Sequence, residues 1–257
     1  MQIGISSSCL YPMQTEDALR TVCELGARTA EIFFNSPSEL KKPFLDELNA
    51  IKDFYGTDVR SIHPFTSAYE TYLLFSDYKR RTSDGIEFYK NYFETANVLG
   101  AKIVVLHGKF VSVATTPEEY AESFILLSNA AREAGVYIAQ ENVHNHHCGN
   151  PAFMKAVAGL VGEDFRMVLD IKQCRRCEVS EFDFIKLLGD RIMQVHISDC
   201  LGQEKCLAPG EGEYDFVKLF EALNNAGYND SAIIELYRKN FGKTEELAAA
   251  KAYLENL

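Results

Sequence analysis

Six residues, His63, His107, Glu141, Asp170, His196 and Glu235, each close or nearly close a short apolar run, within SIHPF, VVLHG, QENV, MVLDI, VHISD and IIELY. An imidazole or carboxylate at the end of an apolar strand is costly to bury without a partner. One divalent cation can serve several carboxylates at once, which is the chemistry these residue types offer. Such a mixed oxygen and nitrogen set suits Mn, Mg, Co or Zn. The competing reading is a buried salt-bridge network.

Convergence of residues so far apart in sequence needs a scaffold. Short apolar runs alternate with longer helical patterns along all 257 residues. The strand candidates are Ile3–Ser7, Ala30–Phe34, Val59–Pro64, Lys102–His107, Tyr137–Asn142, Arg166–Ile171, Ile192–Ser198 and Ala232–Tyr237. Several are apolar on both faces, as strands buried in a parallel sheet must be. The segments between them read as helices, among them Thr15–Gly26, Ser180–Leu188, Tyr214–Ala226 and Lys243–Leu257. Thr15 is expected to act as an N-cap. Pro117-Glu118-Glu119 places proline and acids in a first turn, and that helix stops at Gly135. Eight strand–helix units predict an α/β fold, a (β/α)₈ TIM barrel spanning residues 1–257 as a single domain. No G-x-G-x-x-G follows the first strand, which disfavours an open dinucleotide-binding sheet. In a parallel barrel all strand C-termini share one rim, so the six residues should meet there.

The ordered set AEIFF, SIHPF, VVLHG, QENV, MVLDI, VHISD, PGEGEYDF and IIELY resembles the xylose-isomerase-like TIM barrels over essentially the whole chain. That family includes sugar isomerases and epimerases, inosose dehydratases and endonuclease IV-like apurinic nucleases. The resemblance implies one divalent metal held by Glu141, Asp170, His196 and Glu235, with Glu141 and Glu235 also moving the substrate proton. It implies substrate contacts from His63, His107, Gln173 and Arg238. The expected activity is metal-dependent isomerisation or epimerisation of a small sugar, sugar phosphate or related ketone through a metal-stabilised enediolate. A lyase (dehydratase or eliminase) on the same site is one alternative. A metal-dependent phosphoesterase resembling the apurinic nucleases is another, and a non-catalytic sugar-binding barrel a third.

Two departures from the family pattern matter. The D-x-x-H histidine is replaced by Gln173, and the epimerases' supporting glutamate by His147. Before Gly210-Glu211-Gly212, Glu204 and Cys206 stand where the nucleases carry metal ligands, so a trinuclear zinc site is not expected.

Other residues invite weaker readings. Glu31 is expected to end its strand in a helix-facing ion pair or a substrate contact. His144, His146 and His147 sit in a loop where histidines are usually solvated, and Lys205 joins Arg238 as a candidate phosphate contact. Cys174, Cys177, Cys200 and Cys206 would meet above the rim only if they formed a Cys₄ zinc site; unpaired thiols are the simpler reading.

A net charge of −11 disfavours a nucleic-acid partner. No apolar run is long enough to span a membrane. An opening without a secretory pattern, with seven cysteines, leads to the expectation of a cytoplasmic location and reduced thiols. The expected partner is a small carbohydrate, and a homo-oligomer is compatible with the sequence.

Overall fold

The computed structural model describes residues 1–257, the side chain of Lys205 excepted. Eight parallel strands close a barrel: β1 (Gln2–Ser6), β2 (Thr29–Phe33), β3 (Asp58–His63), β4 (Ile103–Leu106), β5 (Tyr137–Glu141), β6 (Met167–Asp170), β7 (Ile192–Ile197) and β10 (Ser231–Ile234). Each expected strand is present, with ends that differ by at most three residues. The barrel closes through β1, which pairs with β2 on one side and β10 on the other. Helices α1 (Thr15–Glu24), α2 (Lys42–Tyr55), α3 (Glu70–Leu73), α4 (Lys79–Leu99), α5 (Pro117–Glu133), α6 (Pro151–Val161), α7 (Ile171–Cys177), α8 (Glu181–Leu188), α9 (Phe216–Asn225) and α10 (Glu245–Glu255) complete the fold.

Local chemistry explains most helix limits. α5 starts in a full capping box, Thr116 accepting from the Glu119 amide while the Glu119 carboxylate accepts from the Thr116 amide. Ser180 caps α8 by accepting from the Phe182 amide. Asp215 caps α9, so that helix starts at Phe216 rather than Tyr214. The expectation for Thr15 fails: α1 begins after Gln14, and the Thr15 hydroxyl instead donates to the Glu39 carboxylate. Thr15 is buried against the loop after β2, where its hydroxyl accepts from the Asn35 side-chain amide instead of a helix amide.

The short helices α3 and α7 and one hairpin were not anticipated. After β7 the chain turns into an antiparallel hairpin of β8 (Asp199–Leu201) and β9 (Glu204–Leu207).

Alternation along the strands stacks the barrel interior in layers. Ile103, Val105, Ala139 and Val168, with Met193 packed against them, form an apolar plug inside the ring. Glu141 and Asp170 follow Ala139 and Val168 two residues on, so the same faces carry them to the rim. Outside the ring, the larger core lies between strands and helices, with Phe34, Tyr89, Phe93, Phe124, Phe165 and Phe184 fully buried.

Candidate metal centre and substrate cavity

Glu141, Asp170, His196 and Glu235 each place a ligand atom within 4.8 Å of those of the other three. Glu141 and Asp170 end their strands, His196 lies one residue inside β7, and Glu235 follows β10 directly. Glu141, Asp170 and His196 are almost wholly buried. Their buried atoms Glu141 Oε2, Asp170 Oδ2 and His196 Nδ1 make no hydrogen bond to one another, though His107 Nε2 stands 3.0 Å from Glu141 Oε2 and Lys172 Nζ 3.1 Å from Asp170 Oδ2. Inward-facing carboxylates and an imidazole, gathered without hydrogen bonds among themselves, are the donor set a divalent cation takes, so the residues fit the ion.

The surroundings fix these ligands. His196 Nε2 lies 3.0 Å from Glu31 Oε2 and donates to it, which leaves Nδ1 free to face the centre. Glu31 in turn accepts from the hydroxyls of Ser6 and Ser61 and from the Gln194 amide. Glu31 therefore lies in mid-strand and points into the barrel, so neither the helix-facing ion pair nor the substrate contact expected of it is found. Asp170 Oδ1 accepts from the Gln173 amide, capping α7 and pointing the other oxygen inward. Lys172, which the sequence did not single out, is buried with Nζ 2.6 Å from Glu235 Oε2 and 3.1 Å from Asp170 Oδ2.

The electrostatics follow from crowding acids and imidazoles in a dry place. Burial pushes Asp170 up to about 7, with Lys172 pulling the other way. Burial also opposes ionisation of Glu141 and Glu235, yet His107 holds Glu141 well below the usual carboxylate range and Lys172 holds Glu235 below it. His196 is raised, against its burial, chiefly by Glu31 and Glu235.

Above the quartet opens a cavity of about 580 Å³, lined among others by Tyr11, Phe33, His63, Phe65, His107, Lys172, Gln173 and Tyr237. His63 Nδ1 donates to the Pro64 carbonyl, and its Nε2 lies 3.0 Å from that of His107. His107 Nε2 is also 3.0 Å from Glu141 Oε2, so His63, His107 and Glu141 form a second convergent group. Against burial, Glu141 raises His63 to about 9. The turn carrying His107 is held by Glu70, which accepts from the amides of His107 and Gly108 and from the Tyr89 hydroxyl.

Other candidates lie elsewhere. Gln173 lines the cavity while its Oε1 accepts from the His144 amide. Arg238 turns away, donating to the carbonyls of Phe241 and Gly242, and is not among the lining residues. The Lys205 side chain lies outside the described residues. His146 and His147 are packing residues rather than solvated ones: His146 is buried against Phe110, and His147 pairs with the Val113 carbonyl and stacks on Phe153. All seven cysteines are free, and no cysteine joins a metal-ligating cluster among the described residues.

With this geometry in view, comparison with known proteins decides the family. The model of the xylose isomerase-like TIM barrel family matches residues 19–257. The chain belongs to that family. An inosose isomerase of Bacillus velezensis is 29% identical over 172 residues, 62% of this chain. The match spans only 61% of that relative's length. A D-psicose 3-epimerase from Clostridium cellulolyticum H10, solved with D-tagatose, superposes with a TM-score of 0.82 at 18% identity, covering 100% of this chain and 99% of that one. The IOLI protein, solved with a binding zinc atom, has a TM-score of 0.75 at 20% identity, covering 100% of this chain and 96% of that one.

Proposed function

We propose that this protein is a divalent-metal-dependent isomerase or epimerase of an unphosphorylated sugar or polyol-derived ketone. The observation that carries this reading is the quartet Glu141, Asp170, His196 and Glu235, converging at the floor of a cavity with ligand atoms within 4.8 Å of one another. A divalent ion held there would supply the Lewis acid that polarises a substrate carbonyl. The inosose isomerase relative and the zinc-bound IOLI protein support the same assignment.

This chain's own residues would divide the work. Glu141 and Glu235 stand three places apart around the ring, so their carboxylates approach a bound substrate from different sides. One takes the proton beside the carbonyl and the other returns a proton to the opposite face, which inverts the centre. His63 and His107 are placed to hold substrate oxygens next to Glu141. Tyr11, Phe33, Phe65 and Tyr237 offer flat apolar walls for the C–H faces of a sugar ring. An unphosphorylated substrate is favoured because, among the described residues, no arginine lines the cavity, and the lysine that does, Lys172, is already shared between two carboxylates.

The test is proton exchange in D₂O. Chelator-stripped protein is incubated with neutral ketoses and ketocyclitols, with and without Mn²⁺, Mg²⁺, Co²⁺ or Zn²⁺, and followed by NMR. Exchange at the carbon next to the carbonyl that depends on added metal is the expected result. Full exchange by the stripped protein would overturn metal dependence, and loss of water from the substrate would turn the reading to a lyase.

A further inference from the structure

Lys172 is the feature the proton-transfer scheme leaves without a task. It sits in the first turn of α7, two residues after Asp170, and is 4% exposed. Its ammonium contacts Asp170 Oδ2 at 3.1 Å and Glu235 Oε2 at 2.6 Å, and lies 5.0 Å from the centre of the Tyr237 ring. These partners are two of the four candidate metal ligands. Asp170 Oδ2 lies within salt-bridge range of the ammonium but makes no hydrogen bond.

We propose that Lys172 is the internal cation of the metal site, sharing Asp170 and Glu235 with the divalent ion and thereby setting how tightly that ion is held. The inference rests on the metal reading above. Charge counting supports it: Glu141, Asp170 and Glu235 carry three negative charges, a divalent ion brings two positive ones, and the Lys172 ammonium supplies the third. His196, a ligand through Nδ1, is counted neutral, its Nε2 proton being donated to Glu31 beneath it. Short tethering to Asp170 keeps the ammonium beside the site whether the ion is present or not. A fixed like charge a few ångströms from the ion opposes binding. At the effective dielectric of a protein site, such a charge changes affinity by about tenfold or more. Its hydrogen bond also fixes one Glu235 oxygen, so Lys172 acts as a positioning residue for a carboxylate that is both ligand and proton carrier.

Chelator-stripped wild type, Lys172→Met and Lys172→Arg are titrated with Mn²⁺ and Zn²⁺ in competition with a chromophoric chelator. Lys172→Met is expected to bind about tenfold or more tightly than wild type, and Lys172→Arg to stay near wild type. Equal or weaker binding by Lys172→Met, with wild type binding normally, overturns the inference and leaves the metal reading intact. No binding of either ion by wild type overturns the metal reading and the inference with it. Should Lys172→Met unfold when stripped, it is refolded with Mn²⁺ and the ion's release into excess EDTA is timed. Slower release than from wild type supports the inference, and equal or faster release overturns it.

Discussion

Glu31 Oε2 and His196 Nε2 meet at 3.0 Å below the barrel rim, with both residues buried out of reach of solvent. The contact links β2 to β7 across the barrel interior, since these strands are not neighbours in the ring. It fixes which nitrogen of His196 carries the proton and so which nitrogen faces the quartet.

Replacing Glu31 with Gln should weaken metal binding by about 10–100-fold while leaving the quartet itself intact. Competition titration with a chromophoric chelator measures it. Unchanged affinity would mean that His196 holds its orientation without Glu31.

Glu235→Gln keeps an oxygen beside the site but removes the base. Metal should stay bound at saturating concentration while solvent exchange of the substrate proton falls by about 10²–10⁴-fold. Glu141→Gln should do the same from the other face. Wild-type exchange rates in both variants would remove both glutamates from the proton-transfer scheme.

His146 gives the protein an acid sensitivity of its own. Burial depresses its imidazole to about 4, below the 6.5 of an ordinary histidine, and Nδ1 donates to the His144 carbonyl. As pH falls below 6.5 the unfolded chain takes up the proton first, so stability drops between about pH 6.5 and 4 and levels off below. Above 6.5 this group adds no slope. Urea unfolding at pH 7.5 and 5 should show His146→Phe losing about 1–2 kcal/mol less than wild type across that interval. Equal losses would show that His146 does not govern this limb.

Gly108 follows His107 with φ +87°, and a Cβ there would lie 1.9 Å from the Tyr120 hydroxyl oxygen. Gly108→Ala therefore meets both left-handed backbone strain and a clash with a buried ring. A loss of about 2–4 kcal/mol in urea unfolding is expected. Because the same turn holds His107, a parallel loss of substrate affinity should accompany it; a variant as stable as wild type would contradict this account.

The barrel was legible because its strands are apolar on both faces and separated by helices of ordinary length. The convergence of His63, His107, Glu141, Asp170, His196 and Glu235 was legible because carboxylate and imidazole at apolar strand ends are an uncommon pattern, and the family resemblance singled out the quartet among them. Glu31 was misplaced because AEIFF runs two residues beyond it: the glutamate lies in mid-strand, and the ladder to β3 slips next to it. Lys172 was overlooked because a single lysine in DIKQ reads as a solvated helix residue. Only the tight β6-to-α7 junction, with Asp170 capping the helix, brings it back over the rim. The β8–β9 hairpin was hidden by strands of three and four residues, too short to carry a pattern.

That hairpin is fastened at its base chiefly by one side chain. The buried Asp199 carboxylate accepts from the amides of Cys200, Gly210, Gly212 and Tyr214, closing the excursion at its base. A Cβ on Gly212 would lie 2.3 Å from Asp199 Oδ1, so the clasp needs glycine at that point. Cys200 and Cys206 are buried where the hairpin meets the barrel, whereas its turn from Leu201 to Glu204 is exposed. The hairpin tip at Gly202 and Gln203 is thus a place where length and sequence can be rewritten as a cassette, changing what meets the protein's surface without disturbing His196.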